Sequence, residues 1–416
     1  GPAASLAGAR HLGGREDVWV VDMGGTTTDI AVLEQGLPQL NPEGARVGGW
    51  RTMVETVDAR TVGLGGDSQV WLNSDGSGNL HAGPKRTVPL CLLAHEHPQV
   101  VDQLRLQLRA NPASDLAGQL VLPHGRARGA VDGRDRQLLD LLGDSPRTLV
   151  WLSENLSYGP LVDRHLRELE ARRLVLRSAF TPTDALHVLG RFSRWNTTAA
   201  RLGAELLGAQ VGLTPETFSE RVAVRISEQL ATALVGKVLE DEAGVASWEK
   251  APVGVALLER ALQQTDSNLG CRLSLKRHIV AVGAPAAAYL PEAAAHLGTE
   301  IVVPDHAEVA NAVGAVVGGV VQRYEVSIRP APGGEAFLLQ LPSGVRSVVS
   351  IEEAVEIATG EVPDIVRARA REAGADHVEV RVARQDHSAP IRAGGGQRVF
   401  VETVIIFTAV GRPAVA

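Results

Sequence analysis

The sequence predicts an α/β protein, and three observations carry that expectation. Val18–Val21 is a short, uninterrupted apolar run that turns through Gly24–Gly25 into a second apolar run, Ile30–Leu33, as a buried strand and its hairpin partner do. From His278 the order strand, glycine turn, helix, strand, helix is the alternation that builds layered α/β sheets. Beyond Val326 a strand (336–341), an amphipathic helix (351–373) and two strands (377–384, 398–409) read as a small appended α+β domain.

At 416 residues the chain is too long for one ordinary core, so two or three domains are expected. With 44% apolar and 21% charged residues it has the composition of a globular protein. A formal charge of −7 argues against a nucleic-acid backbone or an anionic membrane as a general partner. No run is long and apolar enough to span a bilayer, and residues 1–14 lack a signal-peptide pattern. Cys91 and Cys271 stand far apart without zinc spacing, which fits reduced, buried thiols and a cytoplasmic location. The chain opens on Gly1 rather than Met, as a fragment, a processed product or a cloned piece would.

Along the chain, Pro2 at a first helical position and the stacked small residues Ala3/Ala7 and Ala4/Gly8 predict a helix over 2–12 that another helix can approach closely. Ala310, Gly314 and Gly318 form a matching small face near the other end of the core. Two such faces can cross at short distance, the contact a hinge requires, although ordinary alanine-rich core helices fit the same pattern. Between them, Asp22–Asp29 (DMGGTTTD) is the densest chemistry. Gly24 and Gly25 permit a tight turn whose amides, with the hydroxyls of Thr26, Thr27 and Thr28, suit an anionic oxygen. Asp22 and Asp29 meet at the same end, where carboxylates can hold a hydrated magnesium ion through its waters.

A second glycine turn, Gly65-Gly66-Asp67-Ser68, precedes a strand at 69–72 and could bring amides and Asp67 to the same ligand. Nearby Trp50, Arg51 and Arg60 could reach substrate or phosphate, or form a salt-bridged loop. Residues 81–194 differ in composition: leucine patterns at 138–142, 149–152 and 162–169, the third opened by Pro160, predict three short helices followed by a strand at 174–178, a winged-helix-like scaffold or docking insert. His95-Glu96-His97 would place both histidines on one strand face without a third ligand, and a solvated loop fits better than a metal site. The arginine-rich run 167–177, interleaved with Glu168 and Glu170, reads as a solvated helix face. Thr181 or Thr183 then caps a long helical region, with Asp184 in its first turn, where a capping role is the plainest reading.

Taken in order, PAASLAGARHL, DMGGTTTD, TVGLGGDS, TPTDALHVLG, a strand ending in GAP and PDHAEVANAVGA resemble the hydantoinase/oxoprolinase A family, over Gly1 to about Val321. That family belongs to the ATPase superfamily of actin, sugar kinases and heat-shock chaperones. The resemblance implies a ribonuclease-H-like core divided as 1–80 and 195–325; the compositionally different 81–194 is then an insert, and 326–416, outside the resemblance, an appended domain. It implies that Asp22–Asp29 is the second of two phosphate loops, that Gly283, Ala284 and Pro285 form the adenosine turn, and that Gly65 and Gly66 face the nucleotide. The two small-faced helices become the connecting helices. The first phosphate loop, which would precede the first of them, is not in this sequence, and Gly-Ala-Pro replaces the more usual Gly-Gly.

The cofactors implied are ATP and Mg²⁺, the latter on Asp22 and Asp29; the activity implied is ATP-dependent activation of an amide, cyclic imide or ketone, with a B-type partner subunit. Asp22, Asp29 and Asp184 are the catalytic candidates; Asp67 or Asp184 could orient a nucleophile. Two alternatives stay open: a nucleotide-binding regulatory or assembly subunit without its own chemistry, and a small-molecule kinase of the same superfamily.

Overall fold

A computed structural model describes residues 1–41, 46–47, 50–51, 56–73, 75, 77–110, 114–125, 132–157, 162–245, 248–263, 268–333, 336–390 and 398–413. The chain divides into two compact units, Gly1–Ala312 and Val313–Ala416, each with its own hydrophobic core.

Helix α1 (Pro2–Gly13) begins on proline and closes on Gly14 with φ 62°, the left-handed geometry that favours glycine. Strands β1 (Val18–Met23) and β2 (Thr28–Glu34) make the expected hairpin, and β3 (Leu37–Pro38) extends it. Two small hairpins follow, β4 (Leu40–Asn41) with β7 (Thr56–Val57) and β5 (Arg46–Val47) with β6 (Trp50–Arg51). The side chains of Trp50 and Arg51 lie outside the described residues. β8 (Ala59–Val62) pairs with β2, while β9 (Ser68–Leu72) and β10 (Leu80–Arg86) form a separate ribbon.

The next segment holds β11 (Val88–Pro89), α2 (Leu90–Glu96), α3 (Val100–Ala110), β12 (Leu120–Pro123), α4 (Gly133–Leu142), β13 (Arg147–Thr148), α5 (Leu149–Asn155), α6 (Val162–Ala171) and β14 (Val175–Ala179). Its strands line up as β11-β14-β12-β13. The three short helices stand where the leucine pattern put them, around a small core that includes Leu138, Leu149, Leu166 and Val175. Pro160, expected to open the third, lies outside the described residues. Two expectations fail here. His95 and Glu96 finish α2 and His97 caps it, because Leu90, Cys91, Leu93 and Ala94 supply a buried helical stripe rather than strand alternation. Arg177 is not solvated: it is buried on β14 and paired with Asp163 and Glu170.

Helices α7 (Pro182–Val188), α8 (Thr197–Gln210) and α9 (Pro215–Ala243) start on Thr181, Asn196 and Thr214, whose side chains accept backbone N–H bonds as N-caps. After α10 (Pro252–Gln263) come β15 (Ile279–Val282), α11 (Ala286–His296), β16 (Ile301–Val302) and α12 (Ala310–Val317). The central sheet runs β16-β15-β1-β2-β3, with β8 also on β2. β16, β15 and β1 are parallel; β2 and β3 return antiparallel.

Both faces of this sheet are covered, which is why β1 shows no polar alternation. Val18, Val20, Val280 and Val282 pack against Leu6 and Ala9 of α1 and against Ala310. Trp19, Val21, Ile279 and Ala281 face the larger core with residues of α9 and α11. The close approach is found at one point of the expected faces: a Cβ on Gly8 would lie 1.9 Å from the Ala310 carbonyl oxygen, whereas Gly318 lies beyond the end of α12.

In the second unit, β17 (Val320–Pro330), β18 (Phe337–Leu341), β19 (Gly344–Val348), β20 (Ala375–Pro390) and β21 (Arg398–Pro413) form one sheet in the order β19-β18-β17-β21-β20, with α13 (Ile351–Glu372) on it. Ala354, Ala358, Val362, Val366 and Ala370, four residues apart, bury one stripe of α13 against Val326, Ile328, Ile405 and Phe407. β17 begins where the sequence reading continued a helix to Val321. Gly318-Gly319 are poor helix formers, and the β-branched and aromatic residues after them favour a strand.

Candidate functional site

The hairpin places Asp22 and Asp29 directly opposite each other in the ladder, so both side chains leave the same face of the sheet, the one covered by α1. Asp22 accepts a hydrogen bond from the Ser5 hydroxyl of α1, and Asp29 accepts one from the Thr61 hydroxyl at 2.5 Å. Burial pushes the Asp22 carboxyl above its ordinary range; the Ser5 bond pulls it back, and the negative charge of Asp29 adds to the rise. Neither carboxylate has a Lys or Arg partner among the described residues. Two opposed carboxylates held only by hydroxyl donors suit a hydrated divalent cation.

Between them the turn is closed by the Gly24 N–H donating to Thr27 O at 2.9 Å. Among the described residues the Gly25 and Thr26 amides and the Thr26 and Thr27 hydroxyls have no protein acceptor, which leaves them to a ligand. Thr28 does not join them. It is fully buried and its hydroxyl donates to Leu64 O at 2.7 Å, because strand alternation turns it inward.

The second glycine turn departs from expectation in the same way. The Gly66 N–H donates to Gly24 O (3.1 Å) and the Asp67 N–H to Gly25 O (2.7 Å), while the Gly65 N–H is taken by Ser68 Oγ. These amides brace the hairpin turn rather than wait for a ligand. The contact needs glycine: a Cβ on Gly65 would lie 2.5 Å from the Gly25 carbonyl. Burial raises the Asp67 carboxyl, and Arg86, at 3.0 Å, pulls it down again.

Thr183 and Asp184 part company. Thr183 grips the second turn, its N–H (3.0 Å) and hydroxyl (2.7 Å) both donating to Gly66 O. Asp184 is fully buried, accepting from the Thr181 N–H and hydroxyl, from the Leu90 N–H at 3.1 Å and from the Cys91 N–H at 2.7 Å. It closes a capping box on α7 and caps α2 as well. The carboxylate expected to be catalytic has its acceptor sites filled by the chain, and it does not border the cavity. Burial and the nearby Asp184 push the Cys91 thiol far up, so this sulfur is inert.

Gly283 has φ 95°, and a Cβ there would sit 2.1 Å from Met23 O, so the turn after β15 closes directly on the end of β1. Ala284 and Pro285 follow as α11 begins. They, with Gly25, Gly66, Asp67 and Thr183, border a cavity of about 710 Å³ lying within the first unit. Of the expected ligand-binding residues the structure thus brings Gly25, Gly66, Asp67, Thr183, Ala284 and Pro285 to one cavity, whereas Gly24, Thr26, Thr27, Gly65, Gly283, Asp22 and Asp29 are not among the residues that border it.

The cavity's other wall was not anticipated. Phe192, Arg194 and Trp195, from the loop after α7, and Pro291 and Glu292 of α11 line it. His187 backs this wall, its ring stacked on Trp195. The signal was present in HVLGRFSRW, where two aromatic and three basic residues follow the helix start, but nothing in a single sequence says that this loop folds back over Pro285. Arg60 reaches no candidate ligand group. It is paired with Glu240 and Glu249. The sequence reading also passed over Lys237, which is buried in α9 and bonded to Asp58 (2.7 Å) and Asp241 (2.6 Å).

No curated protein matches the chain. Among solved structures it is similar to acetone carboxylase in a nucleotide-free structure from work on ATP-dependent acetone carboxylation, at TM-score 0.45 and 13% identity over 98% of this chain and 49% of that one. It is also similar to an ATP-dependent caprolactamase from Pseudomonas jessenii, at TM-score 0.43 and 13% identity over 99% and 49%. The chain spans about half the length of these two proteins. The hydantoinase/oxoprolinase profile matches residues 1–324, from α1 through the hairpin, the cavity and α12, and the chain belongs to the hydantoinase/oxoprolinase family.

Proposed function

We propose that this chain is the nucleotide-binding part of an ATP-dependent hydrolase-type enzyme that activates the carbonyl oxygen of an amide, cyclic imide or ketone by phosphorylation. The observation that carries this reading is that Gly25 of the hairpin turn and Ala284 and Pro285 of the turn after β15 border one cavity, while Gly283 closes on the end of β1 beside that hairpin. The strand order, with three antiparallel strands joined to two parallel ones, supports a ribonuclease-H-like core. In that reading residues 81–194 are an insert and 326–416 an appended domain.

Each residue then has a task. The Gly25 and Thr26 amides and the hydroxyls of Thr26 and Thr27 would neutralise phosphoryl oxygens, the preorganised donors that stabilise charge as it develops. Gly65, Gly66 and Thr183 hold that turn rigid. Asp22 and Asp29 would hold Mg²⁺ through its waters, which supplies further charge neutralisation when bound. Gly283, Ala284 and Pro285 would take the nucleoside. Asp184 would act only by fixing α7 and α2, and with Asp67 paired to Arg86 this weighs against a kinase whose aspartate deprotonates an alcohol. We place the protein in the cytoplasm with a B-type partner subunit.

The test is ADP release by the whole protein across lactams, hydantoins, ketones and sugars. A lactam, hydantoin or ketone should stimulate release, and Asp22→Ala or Asp29→Ala should lower it by at least ~10²-fold while the fold persists. Wild-type rates in either variant would remove the hairpin from the mechanism; nucleotide binding without carbonyl-stimulated release would point to the regulatory subunit.

A further inference from the structure

His187 occupies a place where a leucine would bury well. It is 1% exposed, one turn beyond Thr183 on α7, and both ring nitrogens are engaged. Nδ1 lies 2.8 Å from Thr183 O and Nε2 accepts the Trp195 N–H at 3.1 Å, so these partners assign the neutral tautomer with its proton on Nδ1. A buried polar ring with two specific partners costs desolvation unless both bonds are kept, and here both are. Its flat face is also in use. The Trp195 ring stacks on it, with centroids 5.8 Å apart and planes 10° apart, and Phe192 meets both rings edge-on, at 5.0 and 5.7 Å.

These contacts join two parts of the cavity. From the hairpin turn, Gly24 O accepts from Gly66, Gly66 O accepts twice from Thr183, Thr183 O accepts from His187, and His187 accepts from Trp195. The anion-binding turn stands at one end of this relay and an aromatic pair at the other. Phe192 and Trp195 line the cavity; Phe192 is 38% exposed, and the half-buried Trp195 ring lies between His187 and the Arg194 guanidinium, 6.0 Å over it, so Phe192 presents the open apolar face of an aromatic wall. Histidine is the side chain that supplies a donor, an acceptor and a stacking face together.

We propose that His187 is a positioning residue that fixes the Phe192–Trp195 wall relative to the Gly24–Thr27 turn, and that this wall seats the planar ring of the nucleotide. The inference rests on the nucleotide reading above and adds to the Gly283-Ala284-Pro285 turn a second, aromatic wall for the ring.

The test compares ATP with inorganic tripolyphosphate, which has the charge but no ring, by calorimetric titration of the 416-residue chain. Wild type should bind both, and ATP should quench tryptophan fluorescence where tripolyphosphate does not. Trp195→Leu removes the ring but keeps the backbone N–H that His187 holds; it should weaken ATP about tenfold, the size of a lost base stack, and leave tripolyphosphate within about twofold. His187→Phe keeps a ring but loses both hydrogen bonds and should follow the same pattern, whereas His187→Gln, which restores a donor and an acceptor, should recover most of the loss. Equal losses for both ligands, or none for ATP, in folded Trp195→Leu and His187→Phe overturn the proposal while the nucleotide reading stands. Failure of wild type to bind either ligand overturns the nucleotide reading itself.

Discussion

Replacing Asp22 by Asn should stabilise the fold while silencing the chemistry proposed for it. The Asp22 carboxyl is raised by burial first and then by Asp29 directly across the ladder, so its ionised form is a liability in the folded state. Asn keeps an acceptor for the Ser5 hydroxyl and offers Asp29 an N–H donor in place of a like charge. The group is only half-buried, so solvent screening limits the gain to about 1 kcal/mol, or roughly 2–4 °C in Tm for a unit of this size. The sign with pH follows from the direction of the shift. As pH falls through the raised native pKa the folded wild type takes up its proton before the unfolded chain does, so the wild type recovers stability. The advantage of Asp22→Asn should therefore be full at neutral pH, shrink on acidification and vanish below the ordinary 3.8. Thermal unfolding of both proteins at pH 7, 5 and 3.5 decides it. An Asn variant less stable than wild type at pH 7, or a gain that grows towards acid, would show that the Asp22 carboxylate does not destabilise the fold.

Three further outcomes are expected. Gly65→Ala puts a methyl 2.5 Å from the Gly25 carbonyl and should cost roughly 1–3 kcal/mol in urea titration, with ATP binding weakened as the two turns separate; unchanged ATP affinity would show that the second turn does not brace the first. Asp184→Ala strips the acceptor from the buried N–H groups of Thr181, Leu90 and Cys91 and should cost about 3–5 kcal/mol; a variant with wild-type stability and no turnover would instead return Asp184 to the catalytic set. Lys237→Met leaves Asp58 and Asp241 without their shared cation and should destabilise by about 3–5 kcal/mol, with much of that recovered when both carboxylates are also changed to Asn; an undiminished urea midpoint in the single variant would mean the pair of ion pairs contributes nothing.

Elements whose cause is local could be read from the order of residues alone. Val18–Val21 and Ile30–Leu33 are apolar runs around glycines and could be little else than a hairpin, and two aspartates an even number of residues from its core had to share a face with Val20 and Ala31. Pro2 and Thr181 likewise announced helices by their end chemistry. Which polar groups are left over depends on how the chain packs. Thr26 and Thr28 are alike in sequence, yet Leu64 claims the hydroxyl of one; the Gly66 and Asp67 amides look free until Gly24 and Gly25 take them. Asp184 resembles a catalytic acid until the amides of α2, more than 90 residues away, close over it. Phe192 and Trp195, backed by His187, became a cavity wall only because the loop after α7 shares that cavity with Pro285, Pro291 and Glu292. Hydrogen-bond satisfaction is a property of the whole packed chain, since each donor or acceptor is consumed by whatever folding brings within about 3 Å of it, and a linear pattern carries no record of that distance.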